Sequence, residues 1–337
     1  MNKLKIALFT GGASPERPVS KLSSKSIYQT LNESGHEVMP VDPALGLKQH
    51  ADVGDYFGED KGEEISHKNY TAAMGLDFLK DVDLAFIGLH GKWGEDGTLQ
   101  SLLEIQDIRY TGSGVLASAL AMDKGMSKTI FRQNGIHVHN GFTIGSGKYD
   151  LQQVMSRIEE EIGYPAVVKP NDQGSTFGLT ICKRAEDIKK ALDFSFSFSD
   201  TTIIETFVPG RELTVGILDG TPLPVLEIKP KHELYDYECK YTHGMSEYIV
   251  PAEIPRETAN QLRDQALLAY NSLGCKNYGR VDFKLRPDGS YVCFEVNTLP
   301  GMTSTSLLPK MAKVAGISFT ELIERIILNS LNGNGKK

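Results

Sequence analysis

The chain has 337 residues, more than one ordinary domain of about 150 residues, and its 40% apolar and 23% charged residues exclude a wholly disordered protein. Its 36 basic and 43 acidic residues give a net charge of −7 with no basic run, so nothing favours binding to nucleic acid or to a membrane surface. There is no apolar run of about 18 residues that could span a membrane, and the four cysteines form no C-x-x-C pair typical of zinc sites. We therefore expect a cytoplasmic protein of about two domains.

Strand and helix patterns alternate in the N-terminal third of the chain. An apolar strand over residues 4–10 is followed by a Gly-Gly turn, a helix over 19–34 that ends at Gly35, and strands over 36–41 and 82–89. Buried strands that alternate with helices are typical of an open parallel sheet. We predict such a sheet here, whereas the polar segment between the last two strands shows no clear pattern.

The remaining two thirds of the chain predict a composite α/β region. Phe194 to Ser199 alternates phenylalanine and serine, which suits either a short strand or a surface loop. A polar loop over 231–248 and a hairpin lie between later elements, and C-terminal helices end the chain. The other predicted elements are helices over 114–134, 150–162, 185–193 and 256–273, and strands over 165–169, 179–183 and 202–208.

The predicted hairpin carries a candidate metal site. Two alternating runs flank a Pro-Asp-Gly sequence, which is a strong turn signal. Glu295 and Asn297 are two residues apart and share a face of the second strand. If Arg286 pairs with Tyr291 across a four-residue turn, Asp282 lies directly opposite Glu295. Three oxygen donors would then converge, a set that suits Mg²⁺ rather than zinc. A solvated hairpin face is the alternative.

Three loops are candidates for binding ligands. Lys169 ends a strand and precedes Pro-Asn-Asp-Gln-Gly-Ser-Thr-Phe-Gly, whose backbone N–H groups could hold a polyphosphate, although an ordinary β-turn is also possible. His90 begins His-Gly-Lys-Trp-Gly-Glu-Asp-Gly at the carboxyl end of a buried strand, where open sheets bind ligands; a structural histidine is the alternative. Gly-Gly-Ala-Ser-Pro-Glu16 ends at the same edge. Residues 235–244 are aromatic and charged without a period, which favours either a lid or disordered surface.

Nine segments in order resemble one family. They read GGASPE, HGKWGEDG, YTGSG, AMDK, VVKPNDQGSTFG, IIETFVPGRELTV, YDYECKY, GRVDF and FEVNTLPGMTSTSLLP. This order resembles the D-alanine–D-alanine ligases of the ATP-grasp superfamily from about residue 6 to residue 310. The resemblance implies an α/β ATP-grasp fold with an N-terminal open parallel-sheet (pre-ATP-grasp) domain. It divides the chain into a substrate-binding domain (1–112), a central ATP-grasp subdomain with the phosphate loop (113–208), and a C-terminal subdomain with the metal site and lid loop (209–337).

The resemblance also implies roles for the residues that match the family's motifs. The catalytic positions, a hydrogen-bonded triad and two groups that face an oxyanion, are Glu16, Ser175, Tyr241, Arg280 and Gly301. The substrate contacts are His90, Ser306 and Leu307. The ATP contacts, to phosphates or to adenine and ribose, are Lys124, Lys169, Glu205, Val208, Glu212 and Lys240. The ligands of two Mg²⁺ ions, replaceable by Mn²⁺, are Asp282, Glu295 and Asn297.

The implied activity is ATP-dependent ligation of two D-alanines through an acyl phosphate, for peptidoglycan precursor synthesis. The implied partners are these small molecules and, by family analogy, a second copy in a homodimer. The closest alternative product is the ester D-alanyl-D-lactate. An NAD-dependent oxidoreductase is disfavoured because no G-x-G-x-x-G follows a strand, and an inactive nucleotide-binding module is disfavoured by the complete metal-ligand set.

Overall fold

The structure is a computed structural model that describes residues 3–231 and 244–333. Within those two ranges no helix is long and apolar enough to cross a membrane. The helices are α1 (Arg17–Glu33), α2 (Tyr70–Ala73), α3 (Thr98–Ile105), α4 (Val115–Met122), α5 (Lys124–Gln133), α6 (Leu151–Glu161), α7 (Ile188–Phe196), α8 (Arg256–Ser272), α9 (Leu307–Val314) and α10 (Phe319–Gly333). The strands are β1 (Lys5–Phe9), β2 (Glu37–Val41), β3 (Leu84–Ile87), β4 (Gly141–Gly145), β5 (Ala166–Pro170), β6 (Thr180–Cys182), β7 (Thr201–Thr206), β8 (Arg211–Leu218), β9 (Thr221–Pro222), β10 (Leu226–Pro230), β11 (Ser246–Ile249), β12 (Tyr278–Leu285) and β13 (Tyr291–Asn297).

The predicted N-terminal parallel sheet is confirmed. Its strands lie in the order β2-β1-β3, and both pairs are parallel. Helix α1 begins two residues before its predicted start because Pro18 occupies its first turn, where a missing N–H costs nothing. It ends before Gly35, as predicted, and the Gly35 N–H bonds to the Asn32 carbonyl. This early start places Glu16 immediately ahead of the helix, at the carboxyl end of β1.

Two antiparallel sheets follow the N-terminal sheet in the described part of the chain. One has the order β4-β7-β5-β6, and the other has the order β11-β10-β8-β12-β13 with β9 beside β8. Strand β4 has no counterpart in the sequence-based prediction, since five residues bounded by glycines give little signal. In the structure Gly141 of β4 lies opposite Glu205 of β7. There an added Cβ would come within 2.9 Å of the Glu205 Cβ, so this pairing requires glycine.

The single helix predicted over 114–134 is wrong. The chain forms α4 and α5, which are separated at Asp123, an extended residue whose carboxylate accepts from the Met126 N–H at 2.9 Å. Aspartate is a favoured N-cap because its oxygen satisfies a free N–H group of the first turn. The break makes Lys124 the first residue of α5.

The alternating Phe194–Ser199 stretch is neither a strand nor wholly a loop. Helix α7 continues through Phe196, three residues beyond its predicted end. The Ser195 hydroxyl is buried and hydrogen-bonds the Thr202 hydroxyl at 2.7 Å, while the Phe196 ring stacks on Tyr149. Ser195 and Ser199, four residues apart, are buried here, which reflects tertiary contacts at a helix end rather than the period of a strand.

Three apolar clusters hold the sheets in place. The largest contains Ile6 to Phe9 of β1 together with Leu322 to Ile327 of α10, so it joins the two ends of the chain. The second places Phe131 of α5 under the C-terminal sheet, and the third fills the central sheet. The C-terminal helix therefore stabilises the N-terminal sheet.

Candidate active site

Two adjacent cavities in the described part of the chain are lined by both polar and apolar side chains. The first, which we name the sheet cavity, lies between the two antiparallel sheets and is lined by residues of β5, β7, β8, β12 and β13. The second, the junction cavity, is lined by the start of α1, the loop after β3 and residues 297–307. Gly174, Ser175 and Glu295 line both cavities. A ligand in one cavity can therefore reach a ligand in the other at this shared edge.

The predicted pairing of Asp282 with Glu295 is confirmed, but the predicted turn is wrong. Leu285 pairs with Tyr291, and the Arg286 N–H donates to the Ser290 carbonyl at 2.7 Å. Arg286 therefore faces Ser290 instead of Tyr291, and three residues rather than four form the turn. A β-bulge at Phe294 shifts the register back, and Asp282 then lies opposite Glu295. The bulge also turns the Phe294 ring into the sheet cavity, where simple alternation would have buried it in the core.

Asp282 accepts several hydrogen bonds in the shared region. Arg280 donates to both of its oxygens, at 2.9 and 2.8 Å, Thr214 donates its hydroxyl at 2.5 Å, and the Asn297 amide donates at 2.9 Å. Within residues 3–231 and 244–333, no three or more His, Cys, Asp or Glu side chains are grouped so that they could hold a metal ion. The hairpin nevertheless brings two carboxylates and an amide oxygen together. Hard oxygen donors of this kind fit Mg²⁺.

Two lysines point toward the shared edge from different elements. Lys124, at the start of α5, donates to the Gln173 carbonyl at 2.8 Å and lies 3.4 Å from a Glu295 oxygen. Lys169, at the end of β5, lies 5.8 Å from the centre of the Phe294 ring and forms an ion pair with Glu205. Both line the sheet cavity. Two ammonium groups beside a loop of backbone N–H groups can bind phosphate oxygens.

Glu205 is the centre of a buried charge cluster. Only 2% of its side chain is exposed; one oxygen contacts Lys169, and the other contacts Lys128 and, at 2.7 Å, His139 Nε2. Burial opposes the charge of this carboxylate, but His139, Lys128 and Lys169 together hold the pKa of Glu205 well below its usual value. Burial lowers the pKa of Lys128 to about 8 and that of His139 to about 4. At neutral pH the cluster thus contains an ionised glutamate and a neutral imidazole.

The far end of the sheet cavity has a second ion pair. Glu212 lies 2.7 Å from Lys284, and both side chains line the cavity beside the buried Val208. Lys284 is not among the predicted site residues, although its alternation with Asp282 on one strand face could have identified it. This end thus combines an apolar wall with a carboxylate.

Glu16 and Ser175 meet in the junction cavity, although 159 positions separate them in the sequence. The Ser175 hydroxyl donates to a Glu16 oxygen. Two glycines let the backbone approach this carboxylate, since an added Cβ at Gly91 or Gly174 would lie 2.6 or 2.8 Å from Glu16 Oε2. The third predicted member of the triad, Tyr241, and the predicted phosphate ligand Lys240 lie outside the described residues.

His90 lies behind the junction cavity and is buried. Its Nε2 lies 3.0 Å from the Ser23 hydroxyl, and burial lowers its pKa, so the ring is neutral at pH 7. Glu95, which the sequence analysis did not single out, accepts the Gly91 N–H at 2.7 Å. Burial, and then the charge of Glu16, raises the pKa of Glu95 to about 8. The cavity thus has one neutral histidine and a carboxyl group that is largely protonated at neutral pH.

The opposite wall of the junction cavity is formed by Gly301, Ser306 and Leu307. The Ser306 hydroxyl precedes α9, accepts the Thr303 N–H at 3.0 Å and lies 2.8 Å from the Thr303 hydroxyl. Arg280 and Asn297 also line this cavity. The structure therefore brings every predicted site residue within its described ranges to one of the two cavities.

Comparison with known proteins identifies the family. Residues 5–113 match the family model for the D-ala D-ala ligase N-terminus, and residues 130–328 match that for the D-ala D-ala ligase C-terminus. The D-alanine–D-alanine ligase of Syntrophotalea carbinolica is 41% identical over 97% of this chain and 96% of its own length. That of Halalkalibacterium halodurans is 43% identical over 97% and 99%.

Solved structures agree. D-alanine–D-alanine ligase from Bacillus anthracis, complexed with ATP, has a TM-score of 0.79 and 31% identity and covers 98% of each chain. The VanG D-Ala:D-Ser ligase from Enterococcus faecalis has a TM-score of 0.78 and 28% identity, covering 98% of this chain and all of its own. These likenesses confirm the predicted α/β ATP-grasp fold with its N-terminal parallel-sheet domain. The chain belongs to the D-alanine–D-alanine ligase family.

Proposed function

We propose that this enzyme joins two D-alanine molecules into D-alanyl-D-alanine with ATP, through an acyl phosphate, for peptidoglycan precursor synthesis. The observation that carries the proposal is that the two cavities meet at Ser175 and Glu295. Phosphoryl transfer requires the terminal phosphate and the accepting carboxylate in contact. ATP in the sheet cavity and an amino acid in the junction cavity would satisfy that requirement.

We expect ATP to bind in the sheet cavity in one orientation. Lys124 and Lys169 lie toward the shared edge, where they would bind the phosphates, while Glu205, Val208 and Glu212 lie deeper and would contact adenine and ribose. Charge on the transferred phosphoryl group would be stabilised by ammonium groups that are already in position. The role of Lys240 as a further phosphate ligand stays a prediction from the family resemblance.

Asp282, Glu295 and Asn297 would hold Mg²⁺ beside those phosphates. The ion would neutralise phosphate charge as a Lewis acid. In this structure Arg280 donates to both oxygens of the Asp282 carboxylate and balances its charge. A metal ion would therefore have to share this carboxylate with Arg280. Two ions, and Mn²⁺ as a substitute, are part of the same proposal.

The junction cavity would hold both amino acids. The Glu16 carboxylate would bind the ammonium of the first D-alanine, with neutral His90 nearby. Ser306 and Leu307 would contact the second D-alanine, whose amine attacks the acyl phosphate and expels phosphate. Arg280 and the Gly301 N–H would stabilise the oxyanion that forms in this step. Ser175 holds Glu16, and Tyr241 as the third triad member remains a prediction.

Release of phosphate is the test. The purified enzyme is expected to release phosphate from ATP only when D-alanine and Mg²⁺ are present, and release that is independent of D-alanine would contradict the proposal. D-Alanine, D-lactate and D-serine are then supplied at equal concentrations, and the products are separated by chromatography. We expect D-alanyl-D-alanine to predominate at pH 7 to 8. Predominant ester would favour the depsipeptide alternative, and predominant D-alanyl-D-serine would match the named activity of the VanG relative.

The proposal includes a cytoplasmic homodimer. Light scattering after gel filtration is expected to give twice the chain mass. A mass that equals one chain at all concentrations would exclude the dimer.

A further inference from the structure

Lys128 is a buried lysine that the proposed reaction leaves without a role. It lies one helical turn after Lys124 in α5, and only 1% of its side chain is exposed. Its ammonium contacts Glu205 and lies 2.8 Å from His139 Nε2. Of the described side chains, Glu205 and Lys169 line the sheet cavity, whereas Lys128 and His139 do not. Lys128 therefore reaches a ligand in this cavity only through Glu205.

The two lysines that contact Glu205 are placed differently. Lys169 lines the cavity and contacts one oxygen of the Glu205 carboxylate, whereas Lys128 contacts the other oxygen. If Lys169 binds the phosphates of ATP, Lys128 remains as the lysine in contact with Glu205. His139 cannot supply the missing charge, because burial lowers its pKa to about 4. Its backbone is fixed by the hydrogen bond that Arg132 donates to the His139 carbonyl at 3.0 Å.

The charge state of Glu205 determines which purine it can bind. An ionised carboxylate only accepts hydrogen bonds, so it pairs with a 6-amino group and repels a 6-oxo group. A protonated carboxyl group can also donate a hydrogen bond, so it would bind either kind of purine. A fully buried glutamate without a counter-ion has its pKa raised by desolvation, to 8 or 9 in documented cases. The partner of Glu205 thus controls base selection.

We propose that Lys128, packed against His139, is the positioning residue that keeps Glu205 an acceptor-only carboxylate and so makes the site select 6-amino over 6-oxo purine nucleotides. This inference rests on the proposed binding of ATP in the sheet cavity. The charged or titratable groups that face Glu205 are Lys128 from α5, His139 ahead of β4 and Lys169 from β5, with Lys124 acting on Lys128 from one turn away.

The test compares the dissociation constants of ATP and inosine triphosphate by calorimetry, with Mg²⁺ and without D-alanine. Lys128→Gln keeps a hydrogen-bond donor of similar length and removes the charge. We expect this variant to reduce the ratio of the inosine triphosphate to the ATP dissociation constant about tenfold, which is the usual effect of losing a charge-assisted hydrogen bond. This reduction should become larger as the pH falls from 7.5 to 6, whereas the ratio for the wild-type enzyme stays constant. Lys189→Gln, at an exposed lysine paired with Asp193, is the matched control.

An unchanged ratio in folded Lys128→Gln would overturn the proposal, because a purely structural role predicts loss of stability without a change of base preference. Should this variant not fold, Glu205→Gln answers the same question. A neutral amide that both donates and accepts should lose the ATP preference, and a retained preference would overturn the proposal. Phosphate release by the wild-type enzyme tests the proposed function separately, so the two failures are distinguishable.

Discussion

The two cavities differ in how their charged groups are held. In the sheet cavity, Glu205 and Glu212 have lysine partners from the same or neighbouring sheets. In the junction cavity, the Glu16 to Ser175 contact joins the N-terminal domain to the loop after β5. Each of these ion pairs is thus positioned by strands of the same sheet. The junction cavity forms only when segments that are distant in the sequence pack together. We therefore expect substitutions in the sheet cavity to affect mainly nucleotide binding, and substitutions in the junction cavity to affect mainly amino-acid binding.

The shared edge should show the largest effect. Glu295→Ala removes a proposed metal ligand and the partner of Lys124 from both cavities at once. We expect kcat for phosphate release to fall about a thousandfold, comparable to the loss of a preorganised group that stabilises transition-state charge. Glu186→Ala, at an exposed glutamate on the surface of the central region, is the control. Activity within tenfold of wild type would remove Glu295 from the site.

Glu16→Gln should affect only the junction cavity. It keeps the size of the side chain and its capacity to accept from Ser175, but removes the charge that would bind an ammonium. We expect the KM for D-alanine to rise up to about a hundredfold, while the dissociation constant of ATP is unchanged. Glu37→Gln, at a half-exposed glutamate in the same domain, is the control. An equal loss of ATP affinity would show that the two cavities are not independent.

The sequence predicted most elements because hydrophobic periodicity and the residues that begin and end helices and strands are local signals. Gly35 ended α1 as expected, Pro18 explains the earlier start of α1, and Asp123 explains the break between α4 and α5. Strand β4 was missed because its pairing with β7 is a tertiary contact that five weakly patterned residues do not reveal. The Phe194–Ser199 stretch was misread for a similar reason.

The candidate site was predicted less evenly. Asp282 was placed opposite Glu295 from a wrong turn length, and the bulge at Phe294 compensated for the error. A bulge leaves no reliable mark on hydrophobic alternation, so the pattern did not reveal that the Phe294 ring lines the sheet cavity. Lys128 and Glu95 were missed because burial and the identity of their neighbours, not local spacing, give them unusual pKa values.

Gly174→Ala should have an effect of intermediate size, and it tests how much close packing matters in the junction cavity. Its φ angle is not in the left-handed region, so the cost is steric: the new Cβ would lie 2.8 Å from Glu16 Oε2. The carboxylate must move, and we expect kcat/KM for D-alanine to fall about tenfold because a small displacement of a positioning group is costly. Gly54→Ala, where nothing lies within 4 Å of the added Cβ, is the control. Equal kinetics in the two variants would contradict this account of the junction.

The smallest effect is expected at Asp60, which anchors the start of α1 from outside the cavity. It accepts from Arg17 at 2.8 Å and from Lys21 at 2.6 Å, and the Arg17 hydrogen bond, followed by that of Lys21, lowers the pKa of Asp60 to about 2. A carboxylate whose pKa is depressed by folding stabilises the protein above its ordinary pKa and loses that contribution as the pH falls from about 4 to about 2.

Asp60→Asn tests this anchor by urea unfolding at several pH values. Because 42% of the Asp60 side chain is exposed, solvent screening leaves about 1 kcal/mol between wild type and variant at pH 6. That difference in the free energy of unfolding should shrink as the pH is lowered below about 4. Asp77→Asn, at an exposed aspartate whose pKa is lowered by the hydrogen bond from the likewise exposed Lys80, should show a much smaller trend of the same sign. Since α1 begins directly after Glu16, Asp60→Asn should also raise the KM for D-alanine slightly while ATP binding stays the same. A pH-independent difference would mean that Asp60 acts through packing and not through its charge.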